Sequence, residues 1–406
     1  MVVLKHFGVN VHIFGGFFLF LLWSCGGGAP TEVEDTPPPA LRTGAAQTEL
    51  YLPQLQGKRV GLLVNQTSRI GEQHLVDTLH ALGIDITRIF APEHGFRGEA
   101  DAGAQIADGR DATTGAPLIS LYGDKKKPGP DDLAGLDVVV FDIQDVGARF
   151  YTYISTMSYV MEACAENDVP FMVLDRPNPN GHYVDGPVLD PAYSSFVGMH
   201  PVPVVHGMTV GEYARMVNGE GWLKNGVQCD LTIIPCANYT HDTPYELPVK
   251  PSPNLPNMRA IYLYPSLCFL EPTVASVGRG TNLQFQVVGI PGGSKGDYEF
   301  TPEPRPGAQY PKHEGKLCRG YNLTRDDAED VRRRAKLDLV YLLQMYQAAP
   351  DPDAFFTSPA FFDKLAGGPE LREMIERGMS GPAIRMTWQE EVEAFRQKRK
   401  PYLLYP

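Results

Sequence analysis

Short apolar runs and helical-period segments alternate along the chain. Arg59 to Val64 (RVGLLV) is an apolar run bounded by polar residues, and Glu72 to Leu82 sets Leu75, Val76, Leu79 and Leu82 at helical spacing, which predicts a strand followed by a helix. Ile84 to Phe90, Val138 to Ile143 and Phe171 to Leu174 read as further strands, and Thr152 to Asn167 as a helix. Strands alternating with helices imply right-handed crossovers and a mainly parallel sheet. The expected fold is therefore α/β: a Rossmann-like domain over 48–205, followed by a mixed α+β subdomain over 206–406, with the active site in the cleft between them. No GxGxxG follows any of these strands, so a nucleotide is not indicated.

In the second half, Thr209 and Glu212 form a capping box that opens a helix through Val217, which makes Glu212 structural. Cys229 to Ile234 alternates like a strand, and the proline-rich Lys250 to Asn257 reads as an ordered loop. Ile261 to Leu270 and Leu283 to Val288 have strand character, with Glu271 and Gly278-Arg279-Gly280-Thr281 as a binding loop between them. Thr324 to Tyr346 reads as one long amphipathic helix, Glu370 to Arg377 and Gln389 to Arg396 as shorter ones, and Tyr402, Leu403 and Leu404 pack the end.

The N-terminus carries a different message. Lys5 and His6 precede an apolar run from His12 to Trp23 that is too short for a comfortable membrane span. It ends in Leu22-Trp23-Ser24-Cys25-Gly26, which resembles a bacterial lipobox. Residues 1–24 are then a lipoprotein signal peptide, Cys25 the lipidated mature end, and 25–47 a flexible tether; a plain secretory signal with an incidental cysteine is the alternative. The expected location is outside the cytoplasm, held to a membrane through the Cys25 lipid. Five cysteines remain, an odd number with no zinc-site spacing, and buried free thiols are expected over a Cys229–Cys236 bridge. A net charge of -12, with only the short run Lys125 to Lys127 basic, excludes a nucleic-acid footprint.

The sharper signal lies just past each strand. The first is followed by Asn65-Gln66-Thr67, the second by Pro92-Glu93-His94-Gly95-Phe96-Arg97, the third by Gln144-Asp145-Val146-Gly147 with Asp142 before it, and the fourth by Asp175-Arg176-Pro177-Asn178. Ligands of open parallel sheets bind beyond the carboxyl ends of the strands, so four polar segments point at one crevice. Helix capping and turn formation account equally for Asn65, Thr67 and Asn178 taken singly.

Longer segments carry a resemblance. GLLVNQTS at 61–68, APEHGFRGEADAG at 91–103, VVVFDIQDVGARFYTYISTM at 138–157, VLDRPNPNG at 173–181, DGPVLD at 185–190 and LYPSLCFLEPTVASVGRGT at 263–281 resemble the NamZ exo-β-N-acetylmuramidase family, long classed as a domain of unknown function. The resemblance implies hydrolysis of a terminal, non-reducing N-acetylmuramic acid from peptidoglycan fragments, with a saccharide or muropeptide as partner. Glycoside hydrolysis needs a proton donor and a group that stabilises or traps the oxocarbenium-like centre. Glu93 is the expected acid/base, tuned by His94, with Asp142 or Asp145 as second carboxylate and Asp185 or Glu271 behind them. Asp142 has a bland alternative as a buried carboxylate holding its loop. The lactyl carboxylate of muramic acid calls for an arginine fork, and Arg97, Arg149, Arg176 and Arg279 are available. Asn65, Gln66 and Asn178 are the remaining substrate-binding candidates. Tyr151 and Tyr153 serve either as sugar-stacking faces or as core packing, and His182, His200 and His206 read as loop residues. No cofactor or metal is expected; the rivals are a sugar-capturing lipoprotein without catalysis and a metal-dependent hydrolase built on Glu93, His94 and Asp142.

Overall fold

The computed structural model describes residues 12, 15, 39–93, 95–96 and 109–406, so Cys25, His94 and Arg97 lie outside the described residues. The chain divides into two units, Met1–Pro39 and Ala40–Pro406, and the second holds everything that follows.

Seven strands form its main sheet: β1 Arg59–Val64, β2 Asp85–Ala91, β3 Gly109–Arg110, β4 Pro117–Ser120, β5 Val138–Asp142, β6 Phe171–Leu174 and β7 Leu231–Ile234. Their order is β7-β6-β5-β1-β2-β4-β3, parallel throughout except for β3 at the edge. The expected α/β class is borne out. The sheet is sandwiched, which explains the unbroken apolar runs of its central strands. Val60, Leu62 and Val64 of β1 face one core with helices α1 Thr48–Leu55 and α2 Leu75–Ala81, while Leu63 faces the other with helix α3 Tyr153–Glu166. Burying each such side chain contributes roughly 1.5–3 kcal/mol. From β1 the chain goes to β2 on one side and later returns to β5 on the other, so the topological switch point lies where Asn65 and Gln144 emerge.

Several expectations are corrected. The stretch assigned to the tether is ordered from about Arg42, which bridges Ala237, and the Gly44 amide donates to Asp175 O at 2.8 Å. A Cβ on Gly44 would stand 2.3 Å from Ile234 O, so only glycine lets this segment lie against the sheet edge. β7 belongs to the main sheet although it follows residue 205, and β3 and β4 were not legible as strands. Ile261–Leu270 is helical: α4 Met258–Leu267, opened by Asn257, whose side chain accepts from the Ala260 amide, continues as a 3-10 turn Cys268–Leu270. A short apolar run buried on all sides has no period to separate strand from helix. The strand expected over 283–288 starts later, at Val287–Pro291, after Phe285 takes a left-handed backbone. The long helix over 324–346 is two, Ala328–Arg333 and Val340–Ala348, parted where Ala335 turns left-handed and the Leu337 amide donates to Asp185. The last residues pack as expected, and the Tyr405 hydroxyl adds a bond to buried Asp175 at 2.6 Å.

Candidate active site

A cleft of about 310 Å³ lies between the strand ends and the C-terminal half. Glu93 reaches it from the end of β2, Thr152 and the tyrosines Tyr151 and Tyr153 from the start of α3, and Glu271 and Arg279 from the segment after α4. Glu93 is half-buried, and its Oε2 accepts a hydrogen bond from the Thr152 hydroxyl at 3.0 Å. Arg279 Nε stands 2.6 Å from Glu271 Oε1, an ion-pair contact not aligned as a hydrogen bond, with the guanidinium 5.5 Å from the centroid of Phe285. The other guanidinium nitrogens of Arg279 make no hydrogen bond to any described residue, so this wall of the cleft presents donors to whatever enters.

The aromatic wall is tied to the proline-rich loop. Tyr151 and Tyr153 donate their hydroxyls to Pro251 O at 2.8 and 3.3 Å, and Gln66 adds its amide at 3.1 Å. Burial pushes both phenols well above the ordinary tyrosine range, so they remain protonated donors at neutral pH rather than nucleophiles. Gln66 therefore supports the cleft from behind rather than lining it. Asn65 accepts from the Thr67 amide and hydroxyl with Oδ1, closing the turn after β1.

The remaining candidates are placed elsewhere, buried in the fold rather than lining the cleft. Asp142, expected as a catalytic carboxylate, is fully buried and gripped by Arg176, Nε to Oδ1 at 2.5 Å and Nη2 to Oδ2 at 2.9 Å. Arg176 is thereby removed from substrate duty as well, its remaining bond going to Arg69 O. Asp185 accepts from Trp388, Arg385 and the Leu337 amide and joins the C-terminal helices. Asn178 donates to Met208 O, and its Oδ1 would lie 2.3 Å from a Cβ on Gly147, which turns with φ +75. Arg149 is buried on the carbonyls of Pro187, Val202 and Leu365 with no carboxylate partner among the described residues, and burial lowers its guanidinium to about 9. His200 and His206, read as loop residues, are buried, and loss of solvent lowers them to about 4 and about 3. The five described cysteines are free and buried. Thr152 was missed: nothing in a lone threonine at a helix start marks it as the partner of a glutamate 59 positions earlier.

Asp145 is buried and does not line the cleft. Its Oδ1 accepts from the Gly147 amide at 2.7 Å, and burial raises the carboxyl from 3.8 to about 7. Between pH 4 and 7 the folded chain keeps a proton that an unfolded Asp145 releases, so this residue makes stability fall as pH rises through that window, after which the slope vanishes. In D145N, urea unfolding measured at pH 4.5 and 7.5 shows a smaller drop across the window than in the wild type; an equal or larger drop contradicts the assignment.

Comparison with known proteins gives this geometry its context. A family model described as exo-β-N-acetylmuramidase NamZ, N-terminal, matches residues 60–259, and the corresponding C-terminal model matches 262–405. The peptidoglycan β-N-acetylmuramidase NamZ of Bacillus subtilis (strain 168) is 40% identical over 379 residues, covering 87% of this chain and 89% of that protein. Crystal structures of two DUF1343 family proteins from Bacteroides fragilis NCTC 9343 match with TM-scores of 0.84 and 0.73 at 48% and 29% identity, each covering 90% of this chain and 99% of the other. With both the sheet domain and the half that closes the cleft accounted for, the chain belongs to the exo-β-N-acetylmuramidase NamZ family.

Proposed function

We propose that the protein is a glycoside hydrolase that removes a terminal, non-reducing β-N-acetylmuramic acid from peptidoglycan fragments. The observation that carries this reading is the pairing, in one cleft, of a positioned carboxyl group, Glu93, with an arginine whose terminal nitrogens are unspent, Arg279. A muramic acid residue offers the matching pair: a glycosidic oxygen to be protonated and a lactyl carboxylate to be bound. Glu93 gives its proton to the departing oxygen, and the Thr152 hydroxyl fixes one carboxyl oxygen so that the other is aimed. Arg279 binds the lactyl carboxylate, oriented by Glu271 and resting on Phe285. The tyrosine wall supplies apolar edges against the sugar ring.

The experiment is an aryl β-N-acetylmuramide incubated with the purified protein. The expected result is release of free N-acetylmuramic acid with or without a strong chelator, and in R279M a KM about 10- to 100-fold higher, the size expected when a charged hydrogen-bond pair is lost. No sugar release by the wild type overturns the reading. Export and lipid attachment at Cys25 belong to the same proposal and are supported by the N-terminal sequence pattern alone; among the described residues no helix is long and apolar enough to cross a membrane.

A further inference from the structure

We propose that Lys312 is a positioning residue for the anionic group of the substrate: its ammonium clamps the backbone between Glu271 and Arg279 so that Arg279 faces the cleft. The proposal rests on the reading of Arg279 as the carboxylate-binding residue. Lys312 lies far along the chain, on the loop before the strand Cys318–Asn322, and its Nζ reaches three carbonyl oxygens of one short segment: Glu271 at 2.7 Å, Thr273 at 2.6 Å and Ala275 at 3.1 Å. Its neighbour His313 adds a ring-nitrogen contact to Val274 O at 2.6 Å. Four successive or alternate carbonyls of the segment are thus held by one dipeptide, and the segment begins and ends on cleft residues. Pro311 packs beside Gly280, the residue after Arg279.

The stoichiometry makes the charge state matter. A lysine ammonium has three N–H donors and no acceptor, which matches three carbonyls. A neutral amine has two N–H bonds and a lone pair, which would then point at a carbonyl oxygen and repel it. Burial lowers Lys312 to about 8, with Glu271 opposing that fall and Arg279 adding to it. Burial and the nearby Lys312 and Lys316 lower His313, so its ring is already neutral, while Arg279 is raised and Tyr264 and Cys268 lie well above their ordinary ranges. Lys312 therefore loses its third donor as pH rises through about 8, and the segment carrying Arg279 loosens there.

The test is steady-state kinetics on an aryl β-N-acetylmuramide from pH 6.5 to 9.5, with calorimetric binding of free N-acetylmuramic acid at pH 7 and 9. In the wild type KM rises several-fold above pH 8 and binding of the sugar acid weakens in parallel. K312M has a KM about tenfold higher at pH 7 and no further alkaline rise. K312R, which never loses its charge, has an intermediate KM that stays level to pH 9.5. N-acetylglucosamine, which lacks the carboxylate, shows no Lys312-dependent change in binding. A K312M enzyme with wild-type KM at pH 7, or an alkaline rise that persists in K312R, overturns the proposal; should K312M fail to fold by circular dichroism, K312R decides. A wild-type enzyme inert toward the muramide at pH 7 instead overturns the glycosidase reading, and this proposal with it.

Discussion

Replacing Glu93 by glutamine is expected to lower kcat on a muramic acid glycoside by about 10²- to 10⁴-fold with little change in KM. Glutamine keeps the shape of the side chain and can still bond Thr152, so the cleft and its binding groups stay in place. What is lost is the proton. The loss depends on the leaving group: a sugar alkoxide departs poorly without protonation, whereas 4-nitrophenolate departs nearly unaided. E93Q should therefore be crippled more severely on a disaccharide than on the aryl muramide, and that difference identifies Glu93 as the acid rather than a substrate-binding group. A variant that cleaves the disaccharide at the wild-type rate overturns the assignment, and one that binds while the wild type also fails to cleave points to capture without catalysis.

The second large effect falls on stability. Arg176 is only 3% exposed, and D142A leaves its guanidinium without its bidentate partner, with Arg69 O as its remaining bond. An uncompensated buried charge costs about 3–5 kcal/mol, a large share of the 5–15 kcal/mol that holds a typical protein together. The urea midpoint should fall accordingly, while the kcat of the protein that remains folded changes by less than about threefold. Removing both charges in D142A/R176M should recover part of the loss. The opposite pattern, a stable but inactive D142A enzyme, would restore Asp142 to a catalytic role.

The two cases mark how far the sequence could be read. Of the four polar strand ends expected to meet at one crevice, only the segment that carries Glu93 lines the cleft, because the polar groups after the other strands are buried in the fold. Glu93, Glu271 and Arg279 could all be singled out before the structure was known. Asp142 and Arg176 sat in equally suggestive positions, yet they neutralise one another beneath the surface. Position along a strand cannot separate a carboxylate aimed at solvent from one aimed at a partner 34 residues away.

What the sequence determined by itself was the alternation of strands and helices, the capping box at Thr209, the polar segment that carries Glu93, and the acidic net charge. These are local properties, set by side-chain period, turn chemistry and composition. What only the tertiary structure decided was which of the polar groups remain unspent. Of the arginines proposed for the lactyl group, Arg149 is consumed by carbonyls and Arg176 by a carboxylate, while Arg279 stands in the cleft. The helical state of Ile261 to Leu270 and the grip of Lys312 on the loop after it were settled in the same way. Hydrogen bonds and ion pairs between distant segments are satisfied in three dimensions, and a linear pattern carries no record of which donor meets which acceptor.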